Sequence, residues 1–314
     1  METLLEEAIA AYHAHRDTRG LSPATRRVDR CRLAPFLLFC RQRHIETPHA
    51  VTGRVLLNFL VHLQRNYRCR AHNNKTGRLA PATRAYILHT VSDLFDFLVR
   101  NDWVLLSPLD GLDRPRTPPP QIPRWVRPRE IDPLIAATDP DSPLGARDRA
   151  VVEILFGCGL RRTELLALDV PDVDLAGGTL AIRQGKGGQS RTVPLAGAAW
   201  KTLRDYLDRF RPLLVAQVSE PALLISVRGR RLDPTTLVHR LKRLARTAHL
   251  DARTTPHAFR HGYATALVQG GADLRVVQDL LGHRSLASTE RYTQLSITDL
   301  VRVHRRTHPR ERRS

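Results

Sequence analysis

Through residue 110 the apolar positions recur at helical spacing, with polar and basic residues on the opposite face. The segment LSPATRRVDRCRLAPFLLFCRQRH opens with Ser22 as an N-cap candidate and Pro23 at the first helical position. A second start resembles it. Shifted by 58 residues, Leu21-x-Pro23-Ala24-Thr25-Arg26 matches Leu79-x-Pro81-Ala82-Thr83-Arg84, and Phe39 falls on Phe97. A weak duplication and simple convergence both account for the match. Between these helices HLQRNYRCRAHNNKTGR reads as a basic connection, either touching phosphates or merely solvated. The pattern predicts an all-helical domain over residues 1–110.

Six prolines between Gly111 and Glu130 (Pro115, Pro118, Pro119, Pro120, Pro123, Pro128) forbid a helix there and predict a stiff linker at 111–125. Beyond it the pattern turns mixed. ARDRAVVEILFGCG reads as an amphipathic helix stopped by Gly159, and LRRTELLAL starts another at once, which leaves Arg161 at the break. DVDL, TLAIRQ and RTVPL are short β-type runs separated by AGG and GKGGQ, predicting a three-stranded antiparallel meander with Lys186 at a turn tip. Thr255 and Pro256 then start the helix carrying HAFRHGYATALVQ, and DLRVVQDLLG closes at Gly282, with His283 directly after. From Val301 the tail VRVHRRTHPRERRS holds six arginines and one glutamate, so residues 299–314 are expected to form a basic tail, mobile when unbound. The sum is a mainly α chain with a small antiparallel β-sheet and a second domain over 126–298.

Charge narrows the partners. The chain has 314 residues, with 50 Lys+Arg against 31 Asp+Glu and a formal net charge of +19, which points to a polyanion. The sequence shows no apolar run approaching the ~18 residues of a spanning helix and no signal peptide. Double-stranded DNA is therefore favoured over a membrane surface. Cys31, Cys40, Cys69 and Cys158 have no C-x-x-C spacing, so neither a zinc knuckle nor a disulfide framework is suggested, and a reducing cytoplasm is expected.

In PHAFRH, His257, Arg260 and His261 share one helical face near a helix N-terminus, where the dipole favours an anion such as phosphate. A zinc site competes for the histidine pair, but Ala258 stands where the motif needs glutamate, and Arg260 would set a fixed cation beside the metal. QGKGG around Lys186 is not a Walker A loop, because Leu180 and Gly187 occupy positions that need glycine and Ser or Thr. Taken alone, Lys186 is a solvated turn lysine. Tyr292 alone reads as a half-buried packing residue.

Together and in order, GLRRTELLAL, the β-turn lysine, His-x-x-Arg, LLGH and a tyrosine nine residues past the histidine resemble the tyrosine recombinase, or phage integrase, family over roughly residues 125–298. The resemblance extends loosely to the N-terminal part, where Xer-like members carry a helical core-binding (SAM-like) domain. It implies Arg161, Lys186, His257, Arg260 and His283 as catalytic residues and Tyr292 as the nucleophile, with Arg162 beside Arg161 as the one ambiguity of register.

This residue set suits attack on a phosphodiester, which needs a nucleophile, neutralisation of charge on the non-bridging oxygens and a proton for the departing oxygen. Two arginine forks bind phosphate oxygens and stay charged, and a base can take the proton of a phenol whose ordinary pKa is about 10. Glu164 reads as an orienting partner of a neighbouring arginine. The resemblance further implies a 3′-phosphotyrosyl intermediate, no cofactor or metal, and a tetramer on two DNA sites exchanging strands through a Holliday junction, as homotetramer or with a related subunit. The tail after Tyr292 could dock on a neighbouring protomer. Because the helical domain starts almost at Met1, a simple Xer-like or transposon-borne enzyme is expected rather than one with an added arm-binding domain. The rivals are a type IB topoisomerase, a DNA-binding regulator without catalysis, and a zinc-dependent hydrolase.

Overall fold

The computed structural model describes residues 4–21, 23–67, 77–112, 124–183, 190–217, 219–282 and 297–311. Ser22, the centre of the basic connection at 68–76, the proline-rich stretch at 113–123, Lys186, His283 and Tyr292 lie outside them. The chain divides into two compact units, Met1–Gln121 and Ile122–Ser314.

The first unit carries four α-helices among its described residues: α1 (Leu5–Thr18), α2 (Pro23–Arg41), α3 (Gly53–Arg65) and α4 (Pro81–Arg100). Both prolines of the repeated start signal occupy the first helical position, where the missing N–H has no intrahelical partner to lose. Aromatic side chains fill the core. Phe36 meets Phe59 edge-on with ring centroids 5.2 Å apart and Phe95 at 6.3 Å, a favoured quadrupole arrangement. The repeat is not a structural equivalence, however. Phe39 is fully buried against Phe59, whereas Phe97 is only partly buried and lies edge-on to Tyr12 of α1, at 5.8 Å.

The second unit is mixed, as the pattern predicts, and with the helical first unit it makes the chain mainly α with one small sheet. It contains α5 (Pro128–Ala136), α6 (Pro143–Cys158), α7 (Arg162–Ala167), β1 (Val173–Asp174), β2 (Thr179–Ile182), β3 (Arg191–Pro194), α8 (Gly197–Asp205), α9 (Pro234–Thr247), α10 (Pro256–Gln269), α11 (Leu274–Leu281) and α12 (Ile297–Thr307). The strands form the expected antiparallel meander in the order β1-β2-β3, with Leu180 opposite both Val173 and Val193, and Leu180, Ile182 and Val193 facing the core. Helix α6 is the axis of the unit. It is buried nearly all round, including Arg147, Asp148 and Glu153, and such groups persist in a core only when paired. Arg147 donates to Asp148 at 3.0 and 2.6 Å and to the Ile225 carbonyl at 2.8 Å, and Asp148 also accepts from Arg240 at 2.6 Å.

Gly159 closes α6 in the left-handed region at φ 60°, and a Cβ there would come within 2.3 Å of the Tyr263 ring, so both backbone and space demand glycine.

The C-terminal segment differs from the mobile tail expected of it. Helix α12 packs against α10, α11 and β3 of its own chain, with His304 and His308 fully buried and their rings stacked at 4.7 Å. His304 Nε2 lies 3.0 Å from the Gly157 carbonyl and His308 Nε2 3.2 Å from the Phe156 carbonyl. Burial, reinforced by His304, pushes His308 well below the usual histidine range, so it stays neutral. Its Nε2–H then donates to Phe156 while its Nδ1 accepts from the Arg310 N–H at 3.3 Å. Arg310 in turn pairs with Glu153 and with Asp132. The physical reason is the buried end of α6, whose last carbonyls have no intrahelical donors and draw them from this segment. A charge count hides that role, because it reads the arginines of this segment only as cations and leaves the histidines out.

Candidate active site

Helix α11 ends at Gly282, at φ 64° in the left-handed region, one residue before His283. Three arginines from three different elements each donate to one of its last three carbonyls. Arg191, opening β3, donates from Nε to Leu280 at 3.2 Å. Arg260, from the first turns of α10, donates from Nη2 to Leu281 at 2.6 Å, and Arg161 donates from Nη2 to Gly282 at 3.1 Å. The helix end carries partial negative charge, so cations suit it.

Arg161 stands at the N-cap of α7. The helix starts there because Glu164, three residues on, reaches back to accept the Arg161 backbone N–H at 2.9 Å. The same carboxylate accepts from Arg161 Nη1 at 2.6 Å and from both Nη atoms of Arg191 at 2.9 and 2.8 Å. Arg162 is exposed, so of the adjacent pair it is Arg161 that joins the cluster. Burial alone would raise the Glu164 carboxyl, but its bonds to Arg191 and Arg161 outweigh that and hold it at about 2. It is a permanent anion.

Arg260 is buried, its Nη1 donating to the Gly159 carbonyl at 2.7 Å. Burial, then the nearby Arg161, lowers its guanidinium to about 10, still far enough above neutrality to keep it cationic. With Arg161 and Arg191 that makes three guanidiniums around one carboxylate, a local excess of positive charge that attracts an anion.

His257, Arg260 and His261 do not share one environment, although their spacing suggested a common face. Arg260 turns into the protein and His257 stays exposed at the second position of α10. His261 is half-buried, with Nδ1 3.2 Å from Thr265 Oγ1. Thr255 caps α10 as read from the sequence, accepting from the Ala258 N–H at 3.3 Å. The structure therefore brings Arg161 and Arg260 together at the end of α11, leaves His257 at the surface of the same helix as Arg260, and does not describe Lys186, His283 or Tyr292. Among the described residues no group of three His, Cys, Asp or Glu side chains is arranged to hold a metal ion. No helix among them is long and apolar enough to cross a membrane.

Sequence reasoning missed Arg191. Its one signal is an arginine opening a short strand, and nothing local shows that it reaches a glutamate 27 residues earlier.

Comparison with known proteins identifies the family. Residues 124–298 match the model of the phage integrase family. The chain is 35% identical to tyrosine recombinase XerC 2 of Ralstonia nicotianae, over 92% of this chain and 82% of that protein. It is 34% identical to tyrosine recombinase XerD of Pseudomonas putida, over 93% of each chain. Two solved structures share the fold. They are a lambda integrase dimer bound to a COC′ core site, with a TM-score of 0.67 and 18% identity over 94% of this chain and 100% of that one, and the Tn1549 transposon integrase with transposon right end DNA, with a TM-score of 0.68 and 17% identity over 96% of this chain and 98% of that one. The chain belongs to the phage integrase family of tyrosine recombinases.

Proposed function

We propose that this chain performs site-specific DNA recombination in two transesterifications, with Tyr292 as nucleophile. In the first, the Tyr292 hydroxyl oxygen bonds to phosphorus while the bond from phosphorus to the 5′ oxygen breaks. The phenolic proton passes to His257, and Lys186 protonates the departing 5′ oxygen. Arg161 and Arg260 hold the non-bridging oxygens, and His283 hydrogen-bonds the phosphate. The resulting 3′-phosphotyrosyl ester keeps the bond energy, so a 5′-hydroxyl from a second DNA strand reverses the step and joins strands without ATP.

The observation that carries this reading is the convergence of Arg161 and Arg260 on the end of α11, immediately before His283, which itself precedes Tyr292 by nine residues in the sequence. Two fixed forks at the helix end that leads in sequence to the phenol are what a phosphoryl-transfer site needs. The strong positive balance of the chain supplies salt-dependent affinity for the duplex. The enzyme works in the cytoplasm as a tetramer on two DNA sites, exchanging strands in pairs through a Holliday junction. Supporting this, one similar structure is a lambda integrase tetramer bound to a Holliday junction.

The test is covalent capture. Wild type is incubated, in chelator, with a pool of nicked duplexes of random sequence, and DNA-linked protein is recovered and its DNA sequenced. A single enriched motif joined through its 3′ phosphate is the expected result, with no adduct from Tyr292→Phe. An adduct from that variant excludes Tyr292 as nucleophile.

A further inference from the structure

One arginine of the cluster has no part in the reaction just described. Arg191 is largely buried, with its side chain 13% exposed, and its fork meets both oxygens of Glu164 two-for-two. Its remaining nitrogen holds the Leu280 carbonyl. Gly282 rests on it so closely that an added Cβ would lie 3.2 Å from Cδ, Nε and Nη1. Arg161 engages the same carboxylate differently. Of its guanidinium nitrogens only Nη1 binds Glu164, and Nη2 sits at the exposed side of the cluster on Gly282. Arg191 is thus the inner partner of the carboxylate and Arg161 the outer one.

We propose that Arg191 is a positioning residue for the Arg161 phosphate clamp, acting through the Glu164 carboxylate. This rests on the reading of Arg161 as a clamp. A carboxylate held by one flexible arginine can rotate, and each arginine side chain brings several rotatable bonds. Glu164 is instead held from behind by a bidentate fork and from its own helix start by the Arg161 N–H, which leaves Oε1 aimed at Arg161 Nη1. The Arg161 fork is therefore oriented before DNA arrives, and displacements of about 1 Å in such a group cost about 10²-fold in rate. Because the carboxylate stays ionised through the physiological range, the arrangement does not relax with pH.

The experiment uses the full chain and a nicked duplex carrying the site found by covalent capture, with three versions of the scissile group. These are the natural phosphodiester, a methylphosphonate that removes one non-bridging charge, and a 5′-bridging phosphorothiolate whose sulfur departs without needing a proton. Single-turnover adduct formation is followed for wild type, Arg191→Met, Arg191→Lys, Glu164→Gln and the double variant Glu164→Gln/Arg191→Met, and melting temperatures report folding. Arg191→Met is expected to slow cleavage of the phosphodiester by about 10- to 100-fold. The loss shrinks on the methylphosphonate, which leaves less charge for Arg161 to neutralise, and persists on the phosphorothiolate. The double variant is no slower than the slower single one, and Arg191→Lys, which keeps the charge without the fork, falls between wild type and Arg191→Met. The proposal is overturned if the phosphorothiolate removes the loss, which would tie Arg191 to Lys186 and the leaving group, if the two single losses multiply, or if Arg191→Met and Arg191→Lys both cleave at the wild-type rate. Failure of the functional reading looks different, because wild type would then form no tyrosine-linked adduct with any of the three.

Discussion

Two helix ends in the second unit share Arg260 and otherwise solve the same problem with different side chains. The last carbonyls of α6 accept from His308 at Phe156, His304 at Gly157 and Arg260 at Gly159. Those of α11 accept from Arg191, Arg260 and Arg161. Both ends would otherwise leave orphan acceptors inside the protein. At α6 the stacked histidines are fully buried and His308 is neutral; both satisfy carbonyls, and His304 also meets Glu311 through Nδ1 at 3.3 Å. At α11 every donor is a guanidinium, two of them gathered on one ionised glutamate, and Arg161 lies at the surface edge. A phosphate oxygen outcompetes a neutral carbonyl for a cationic fork, so the α11 end is suited to exchange its cap for substrate while the histidine-capped carbonyls of α6 are not. In the sequence His283 and Tyr292 follow Gly282 and precede Ile297.

Arg260 belongs to both ends, so Arg260→Ala should have the largest effect. Strand cleavage is expected to fall by about 10³-fold or more through loss of a clamp. Unfolding free energy should fall by about 1–3 kcal/mol for each buried carbonyl left without its donor. Single-turnover cleavage and urea denaturation measure the two. Arg161→Ala separates the functions. It should lose about 10²- to 10³-fold in cleavage, with less than about 1 kcal/mol of stability because the side chain is partly exposed. His308→Ala should do the reverse, lowering stability by about 1–3 kcal/mol with cleavage per folded molecule unchanged. If His308→Ala abolished cleavage while the protein stayed folded, the contrast between the two ends would fail.

The smallest effect concerns pH. The Glu164 carboxyl sits at about 2 against an ordinary 4.5, so the stability it lends is complete above about pH 4.5 and is lost as pH falls towards about 2. Wild type should lose stability through that window in acid titrations of the melting temperature, and Glu164→Gln should follow a flatter course.

Much of the fold could be read from local pattern. Thr255 and Pro256 announce α10, Gly159 announces the end of α6, and the alternation in TLAIRQ and RTVPL announces a meander, because caps, left-handed glycines and strand period act within a few residues. The order of motifs likewise marked Arg161 and Arg260 as candidates. Two features were not legible. Arg191 looked like an ordinary strand residue, and the two buried histidines of the C-terminal segment looked like part of a solvated basic tail. Their roles depend on partners 27 and about 150 residues away in the chain.

The order of side chains along the chain was thus enough to set the helices, the strands, the family and the candidate chemistry, since each follows from short-range rules or from motif spacing. Only the folded molecule decided which cation is clamp and which is brace, and which histidines are structural. Those assignments are made by buried carbonyls and one carboxylate, which choose their donors by proximity in space.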